Sequence, residues 1–288
     1  MSYIRLEKDA DGIVELIFDQ QGKAVNVMGD EYGEAMPRAL DELEAQKDEI
    51  AGVYIRSGKP GQFFAGGDIT RMLEMDLNPD ASERQRMLDG IVEAKAPLRR
   101  LEALGVPIAV GINGAALGGG YEIALACHYR VALDDKRVQI GLPEAMLGLM
   151  PGAGGVVRMV RLLGMQEALT LISQGKRLPA ARALEKGLVH ELAVDEEEMA
   201  AKAKAWIRAN PKAQQPWEEA GYSIPGGGPE DPATQGLTYF GPVNVMVQTR
   251  GNMPAQQVIM AAVIDSARVD HDTAQVIEAR YFQRLLLD

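Results

Sequence analysis

Residues 107–127, PIAVGINGAALGGGYEIALAC, run a strand-like apolar segment into three consecutive glycines and then into an apolar helical pattern holding one glutamate. A flexible linker would be flanked by polar residues. This triplet lies between two segments that both belong in a core, so it reads as a tight strand-to-helix turn. A helix beginning near Gly119 leaves its first backbone N–H groups without intrahelical acceptors, and glycine lets another group approach that backbone closely. A second turn of the same kind, GQFFAGGDI at 61–69, sets Gly66 and Gly67 after an aromatic pair and before another helical start. Two such turns supply two N–H donors for an oxygen that gains negative charge.

Two carboxylates accompany the turns. Glu122 falls on the first turn of its helix among Ile123, Ala124, Leu125 and Ala126, and Glu144 is enclosed by apolar residues and glycines in IGLPEAMLGLMPGAGG. A glutamate facing a core is costly unless it has a partner or chemical work, and together the two are expected to form an acid/base pair. His128, His190 and His271 show no metal-ligand spacing, so they are assigned to surface or packing roles and no metal is expected. Met146 and Met150, near Glu144, read from their residue type as core filler rather than as a site. Arg99, Arg100 and the DEEE run at 195–198 read as solvated helix faces.

Apolar alternation and runs predict strands at 3–6, 13–18, 53–56 and 107–112, with helices over 31–47, 81–104 and about 120–128. YRVAL and VQIGL flank DDKR as a hairpin would. Beyond 155 the strand signals fade, and helices are expected at 155–163, 166–173, 179–186 and 196–209. GYSIPGGGPEDP at 221–232 has the composition of a surface loop, and 254–287 reads as two amphipathic helices. The expected division is an α/β core over 1–195 and a helical C-terminal region over 196–288 that contains the Pro/Gly-rich loop.

In 288 residues, 47% are apolar, enough for a substantial core. One cysteine, Cys127, excludes an intramolecular disulfide framework and reads as a small buried thiol. The N-terminus lacks a signal-peptide pattern, and no stretch approaches the ~18 apolar residues of a membrane span, so a cytoplasmic protein is expected. With 41 acidic against 30 basic residues and a formal charge of −11, nucleic acid is not an expected partner.

At these residues the sequence resembles the enoyl-CoA hydratase/isomerase, or crotonase, family. FFAGGDI resembles the family's first oxyanion segment, INGAALGGGYEIALAC its second, and LPEAMLGLMPGAGGVVRMVRLLG the segment with the second catalytic glutamate; VNVM at 25–28 is similar to the loop that receives the CoA adenine. The resemblance covers roughly residues 3–210. It implies a spiral of repeated ββα units with a helical C-terminal region, binding an acyl-CoA thioester. Carried over, the oxyanion N–H groups fall on Gly67 and Gly119 and the catalytic carboxylates on Glu122 and Glu144. Ala65, Asp68, Ile69, Thr70, Val25 and Asn26 are the expected substrate-binding positions, with Asp68 also capping the helix that follows Gly67. Many relatives carry alanine at the position of Gly67.

Both glutamates are present, which favours hydration of a 2-enoyl-CoA over isomerisation. No cofactor is expected beyond the coenzyme A of the substrate. The stretch from Gly251 to Leu286 resembles the connector to an NAD-binding dehydrogenase part in multifunctional β-oxidation enzymes, yet no G-x-G-x-x-G follows a strand. A freestanding relative and the N-terminal piece of a longer enzyme are both compatible with that, as are a homo-oligomer or association with a dehydrogenase or thiolase part. The alternatives are isomerase, thioester hydrolase or decarboxylase chemistry in the same fold, and a non-catalytic acyl-CoA-binding or assembly subunit.

Overall fold

A computed structural model describes residues 3–68 and 77–287. The chain forms two compact units, each assembled from three separate stretches.

The first unit comprises 1–68, 96–140 and 177–215. Its main sheet has the order β1-β2-β3-β4-β6-β9, from β1 (Ile4–Lys8), β2 (Ile13–Phe18), β3 (Gly52–Ser57), β4 (Ile108–Ile112), β6 (Tyr129–Leu133) and β9 (Glu191–Ala193). β1 and β2 are antiparallel; every later pairing is parallel. All five residues of β4, IAVGI, are buried, as expected for a parallel strand covered on both faces. A smaller sheet has the order β5-β7-β8, from β5 (Ala116–Leu117), β7 (Gln139–Gly141) and β8 (Arg177–Pro179).

Helix α1 (Asp30–Ala45) buries Tyr32, Ala35, Met36, Ala39, Leu40 and Leu43, the stripe that 3.6-residue spacing creates, and packs on β1. Helix α3 (Gly119–Leu125) follows the glycine triplet and is buried throughout.

The expected hairpin at 129–142 is not formed. β6 hydrogen-bonds to β4 and β9, whereas β7 belongs to the smaller sheet. Alternation shows that a run is extended, but it does not select the pairing partner, and the parallel partners of β6 come from distant sequence. The short strands β8 and β9 were hidden by the helical patterns around them.

Helix α7 (Glu196–Ala209) packs on β3, β4 and β6 within the first unit. The DEEE run that opens α7 is a cap rather than only a solvated face. The Asp195 side chain accepts the Glu198 N–H at 2.8 Å, and the Glu198 side chain reaches back to the Val194 N–H at 2.7 Å. Arg100 likewise is more than a solvated side chain, since it bonds Glu44 and Asp41 of α1.

Two histidines are structural. His128 accepts the Ile108 N–H on Nδ1 at 3.0 Å, and its Nε2 faces the Glu102 carbonyl at 3.3 Å. His190 accepts the Arg130 N–H on Nδ1 and stacks on Tyr129, which stacks in turn on Trp206. Burial, with the nearby Arg130 charge, pushes His190 down to about 3 and His128 to about 4. Both lie below the unfolded histidine value of about 6.5, so their contribution is complete above that pH and is lost as the pH falls toward about 4, where the unfolded chain binds protons that the folded one refuses. Unfolding free energies from denaturant titrations between pH 7.5 and 5, above the range where most carboxylates titrate, should fall below about pH 6.5 by on the order of 1 kcal/mol per pH unit for each histidine. A flat profile from pH 6.5 to 5 would contradict their burial as neutral rings.

The second unit comprises 69–95, 141–176 and 216–288. It contains a 3-10 turn at Glu144–Leu147, α4 (Gly155–Leu163), α5 (Met165–Ser173), α8 (Gly241–Thr249), α9 (Pro254–Ser266) and α10 (His271–Leu287), together with the first part of α2 (Ala81–Glu102). Helix α6 (Ala180–Glu185) lies in the first unit. Of the two helices expected within 254–287, α9 buries nearly its whole circumference against α4, α5, α8 and α10. The π-helical turn at Gly236–Phe240 and α8 were not expected, because glycine and proline interrupt TQGLTYFGPVNVMVQT.

The glycine-rich GAGG at 152–155 opens α4, and an internal carboxylate fills its N-terminus. Glu278 of α10, fully buried, accepts the Gly154 N–H at 2.7 Å and the Val157 N–H at 3.1 Å. The buried Lys95 ammonium bonds the same carboxylate at 2.8 Å and the Gln275 carbonyl at 2.7 Å. GAGG is therefore a helix start capped from within the chain.

Candidate active site

Residues 64–68 are stitched between two other segments of the first unit. On one side Phe64 N donates to Ala115 O at 2.9 Å and Leu117 N donates to Phe64 O at 3.3 Å. On the other, Ala65 N donates to Asn26 O, Met28 N to Gly66 O and Asp68 N to Met28 O, each at 2.9 Å. The Phe64 ring is held edge-on by Phe18 and Tyr32 with centroids 5.3 and 5.9 Å away, contacts worth about 0.5–1.5 kcal/mol each.

This stitching leaves one donor over. In the parallel bridge between Met28 and Gly67, the groups bonded to Met28 belong to Gly66 and Asp68, so the N–H of Gly67 itself points away from that strand. No backbone acceptor takes it among the described residues. Gly119, the first residue of α3, has an N–H without an intrahelical partner for the ordinary reason that helices begin this way. The two glycines are neighbours: a side chain on Gly119 would meet Gly67 N at 3.6 Å and the Met28 sulfur at 3.2 Å.

The local geometry accounts for the glycines of the triplet. Gly118 adopts φ 52°, which L side chains disfavour, and a Cβ on Gly120 would stand 2.5 Å from the Phe64 carbonyl oxygen. Between Gly66 and Gly67 the structure also makes a distinction that composition does not. Gly66 has φ 110° and faces the Leu117 carbonyl, whereas Gly67 has an ordinary φ and open space where a Cβ would project.

Glu122 follows one helical turn after the Gly118 bend, with its backbone N–H on the Gly118 carbonyl at 3.0 Å. The residue is only 3% exposed. Gly67, Gly119 and Glu122 thus occupy one unit, on the two turns that Phe64 ties together. Two N–H groups there can donate to a carbonyl oxygen that becomes an enolate, and the buried Glu122 carboxylate has the chemistry for proton transfer.

Glu144 belongs to the second unit, at the start of the 3-10 turn. It is half-buried, with its Oε2 shielded from solvent. Gly175 lies against this turn, where a side chain would strike Met146. Met150 is fully buried, whereas Met146 is exposed.

The expected substrate-binding positions fare differently. Ala65 and Asp68 are exposed and Val25 half-buried. Asn26 is fully buried, and its side chain is committed to the protein: Oδ1 accepts Gln20 N–H, and Nδ2 donates to Ser57 Oγ, Phe63 O and Phe18 O. That network fixes the strand beside the 64–68 loop; only the backbone of Asn26 faces the loop. VNVM at 25–28 is irregular, with one bridge at Met28. Ile69, Thr70 and the helix that Asp68 is expected to cap lie outside the described residues. Met28, which walls Gly119, was within reach of the sequence through VNVM, but its role required the fold. No group of three or more His, Cys, Asp or Glu side chains that could hold a metal ion occurs among the described residues, and none of their helices is long and apolar enough to cross a membrane.

Comparison with known proteins agrees with this architecture. The profile described as enoyl-CoA hydratase/isomerase matches residues 9–216. The fatty acid oxidation complex subunit alpha of Idiomarina loihiensis is 37% identical over 73% of this chain, and that of Shewanella frigidimarina is 40% identical over 65%. The chain spans only 29% and 25% of the length of these two relatives. Among solved structures, DspI of Pseudomonas aeruginosa is 27% identical with a TM-score of 0.60, covering 73% of this chain and 80% of its own. An enoyl-CoA hydratase from Thermoplasma volcanium, 24% identical with a TM-score of 0.60, shares the fold over 100% of this chain and 94% of its own. With the profile matching residues 9–216 of the 288, the chain belongs to the enoyl-CoA hydratase/isomerase family.

Proposed function

We propose that this chain hydrates 2-enoyl-CoA thioesters to 3-hydroxyacyl-CoA in fatty-acid β-oxidation. The observation that carries the reading is the convergence of Gly67 and Gly119 on one side of the bend that presents the buried Glu122. The thioester oxygen sits between the two N–H groups, where charge develops as the enolate forms. Glu122 orients water and takes its proton while the oxygen bonds to C3; Glu144, protonated, delivers a proton to C2. Water is consumed whole, and no electron acceptor is needed. Coenzyme A enters as part of the substrate, and the reading invokes no other cofactor. A cytoplasmic location and association with dehydrogenase or thiolase parts belong to the same proposal; only membership of a larger assembly is supported by the relatives' names, each a subunit alpha of a fatty acid oxidation complex.

The test follows enoyl-thioester absorbance with crotonyl-CoA and with a longer 2-enoyl-CoA, in the presence of NAD. The expected result is loss of the enoyl band with no NADH. If the chain leaves 2-enoyl-CoA unchanged but converts a 3-enoyl-CoA to the 2-enoyl isomer, the isomerase reading replaces this one.

A further inference from the structure

Strand β1 is one edge of the main sheet, and its register with β2 shows which of its backbone groups are unused. Asp19 N donates to Tyr3 O at 2.9 Å and Asp9 N to Ile13 O at 3.0 Å, so the odd-numbered residues of β1 form the hydrogen-bonded pairs. The alternation of an antiparallel ladder then turns the N–H and C=O of Ile4 and Leu6 away from β2. No other strand pairs with that edge among the described residues.

A helix laid over a sheet edge ordinarily blunts it. Here α1 leaves the edge partly open. Residues 31, 34, 35, 38, 39 and 42 recur every three or four positions and so share one side of the helix. The members at its centre, Ala35 and Ala39, are short. A groove of about 570 Å³ remains between helix and strand, floored by Ile4, Leu6 and the two alanines and rimmed by Glu31, Glu34, Arg38 and Glu42. That volume is within the range of ligand sites, about 300–1,000 Å³, and every lining residue belongs to the first unit. The four rim residues are exposed, three carboxylates against one guanidinium, a net charge of −2.

We propose that this groove takes an extended basic segment of another protein, which adds to the sheet as a further strand beside β1. The free backbone groups of Ile4 and Leu6 supply main-chain hydrogen bonds, and the groove reads alternate side chains. Small apolar residues of the segment rest over Ala35 and Ala39, while Lys or Arg stems carry their charges to Glu31, Glu34 and Glu42. A second copy of this chain fits less well, because pairing β1 with β1 about a two-fold axis sets two acidic α1 stripes on the same face of the joined sheet. An anionic lipid surface meets the same repulsion.

Binding of a short fluorescent peptide in which lysine and valine alternate, followed by anisotropy with the full chain, tests the proposal. The peptide should bind, and one in which glutamate replaces lysine should not. Glu34→Lys combined with Glu42→Lys should weaken binding by on the order of 10-fold, whereas Glu197→Lys combined with Glu219→Lys, the same change of net charge on exposed residues elsewhere, should cost no more than about two-fold. Leu6→Pro removes an outward N–H that the β1–β2 ladder does not use, and should weaken binding by about three- to ten-fold. If that variant fails to fold, the peptide itself gives the same answer: N-methylation of one set of alternate amides should weaken binding to the wild-type chain, and of the other set should not. Absence of peptide binding, equal binding of the glutamate peptide, or equal weakening by the two double charge variants would overturn the proposal. So would indifference to both N-methylated peptides, with spermine competing as well as the peptide does, since the groove would then hold cations without adding a strand.

Discussion

Glu122→Gln is expected to slow hydration of crotonyl-CoA by about 100-fold or more, the scale of general acid–base assistance, while acyl-CoA binding persists. The substitution is nearly isosteric, so packing of the buried side chain on α3 is kept and the ability to take a proton is removed. Glu144→Gln carries the same expectation for the step that protonates C2. The informative readout is turnover against binding: a loss confined to kcat marks a group that works in the transition state. A variant that hydrates at the wild-type rate would show its glutamate to be a helix-start carboxylate with no chemical part. Because residues acting as a unit are not additive, the double variant should lose much less than the product of the two single effects.

Gly67→Pro is expected to reduce turnover by roughly 10²–10³, the usual consequence of losing one oxyanion donor, whereas Gly67→Ala should keep most of the activity. The contrast follows from the geometry. An alanine at 67 keeps the N–H, has an allowed φ and projects into open space, while proline has no N–H to give. Proline also constrains the residue before it, here Gly66 at φ 110°, so circular dichroism must accompany the kinetics. A folded proline variant with full activity would remove Gly67 from the mechanism. Gly120→Ala makes a useful third arm: its Cβ would press on the Phe64 carbonyl at 2.5 Å, displacing the segment that carries Gly67 without touching either donor.

Much of this was legible because the responsible physics is local. Strands β1 to β4, helices α1 to α5 and the turns at 64–68 and 117–120 follow from periodicity and from glycines where the backbone must bend or be approached. Glu122 was identified by incongruity, a carboxylate inside an apolar helical pattern, and it is indeed buried. The capped start of α7 was written as DEEE but read as a charged face, since a cap and a solvated run have the same composition.

What the sequence by itself determined was the class of fold, the two glycine turns and the buried Glu122 that follows the second of them, because backbone conformation and burial preference act over a few residues. Only the tertiary structure decided which strands pair, and it overturned the hairpin at 129–142 because parallel partners are chosen by long-range packing. It gave Asn26 to the scaffold rather than to an open surface, through bonds to Phe18, Ser57 and Phe63 that no spacing encodes. It filled the GAGG helix start with Glu278 from more than a hundred residues away. And it left α8, rather than the amphipathic helices after it, with an apolar face uncovered, because α9 and α10 pack within their own unit while the helix before them packs on one side only.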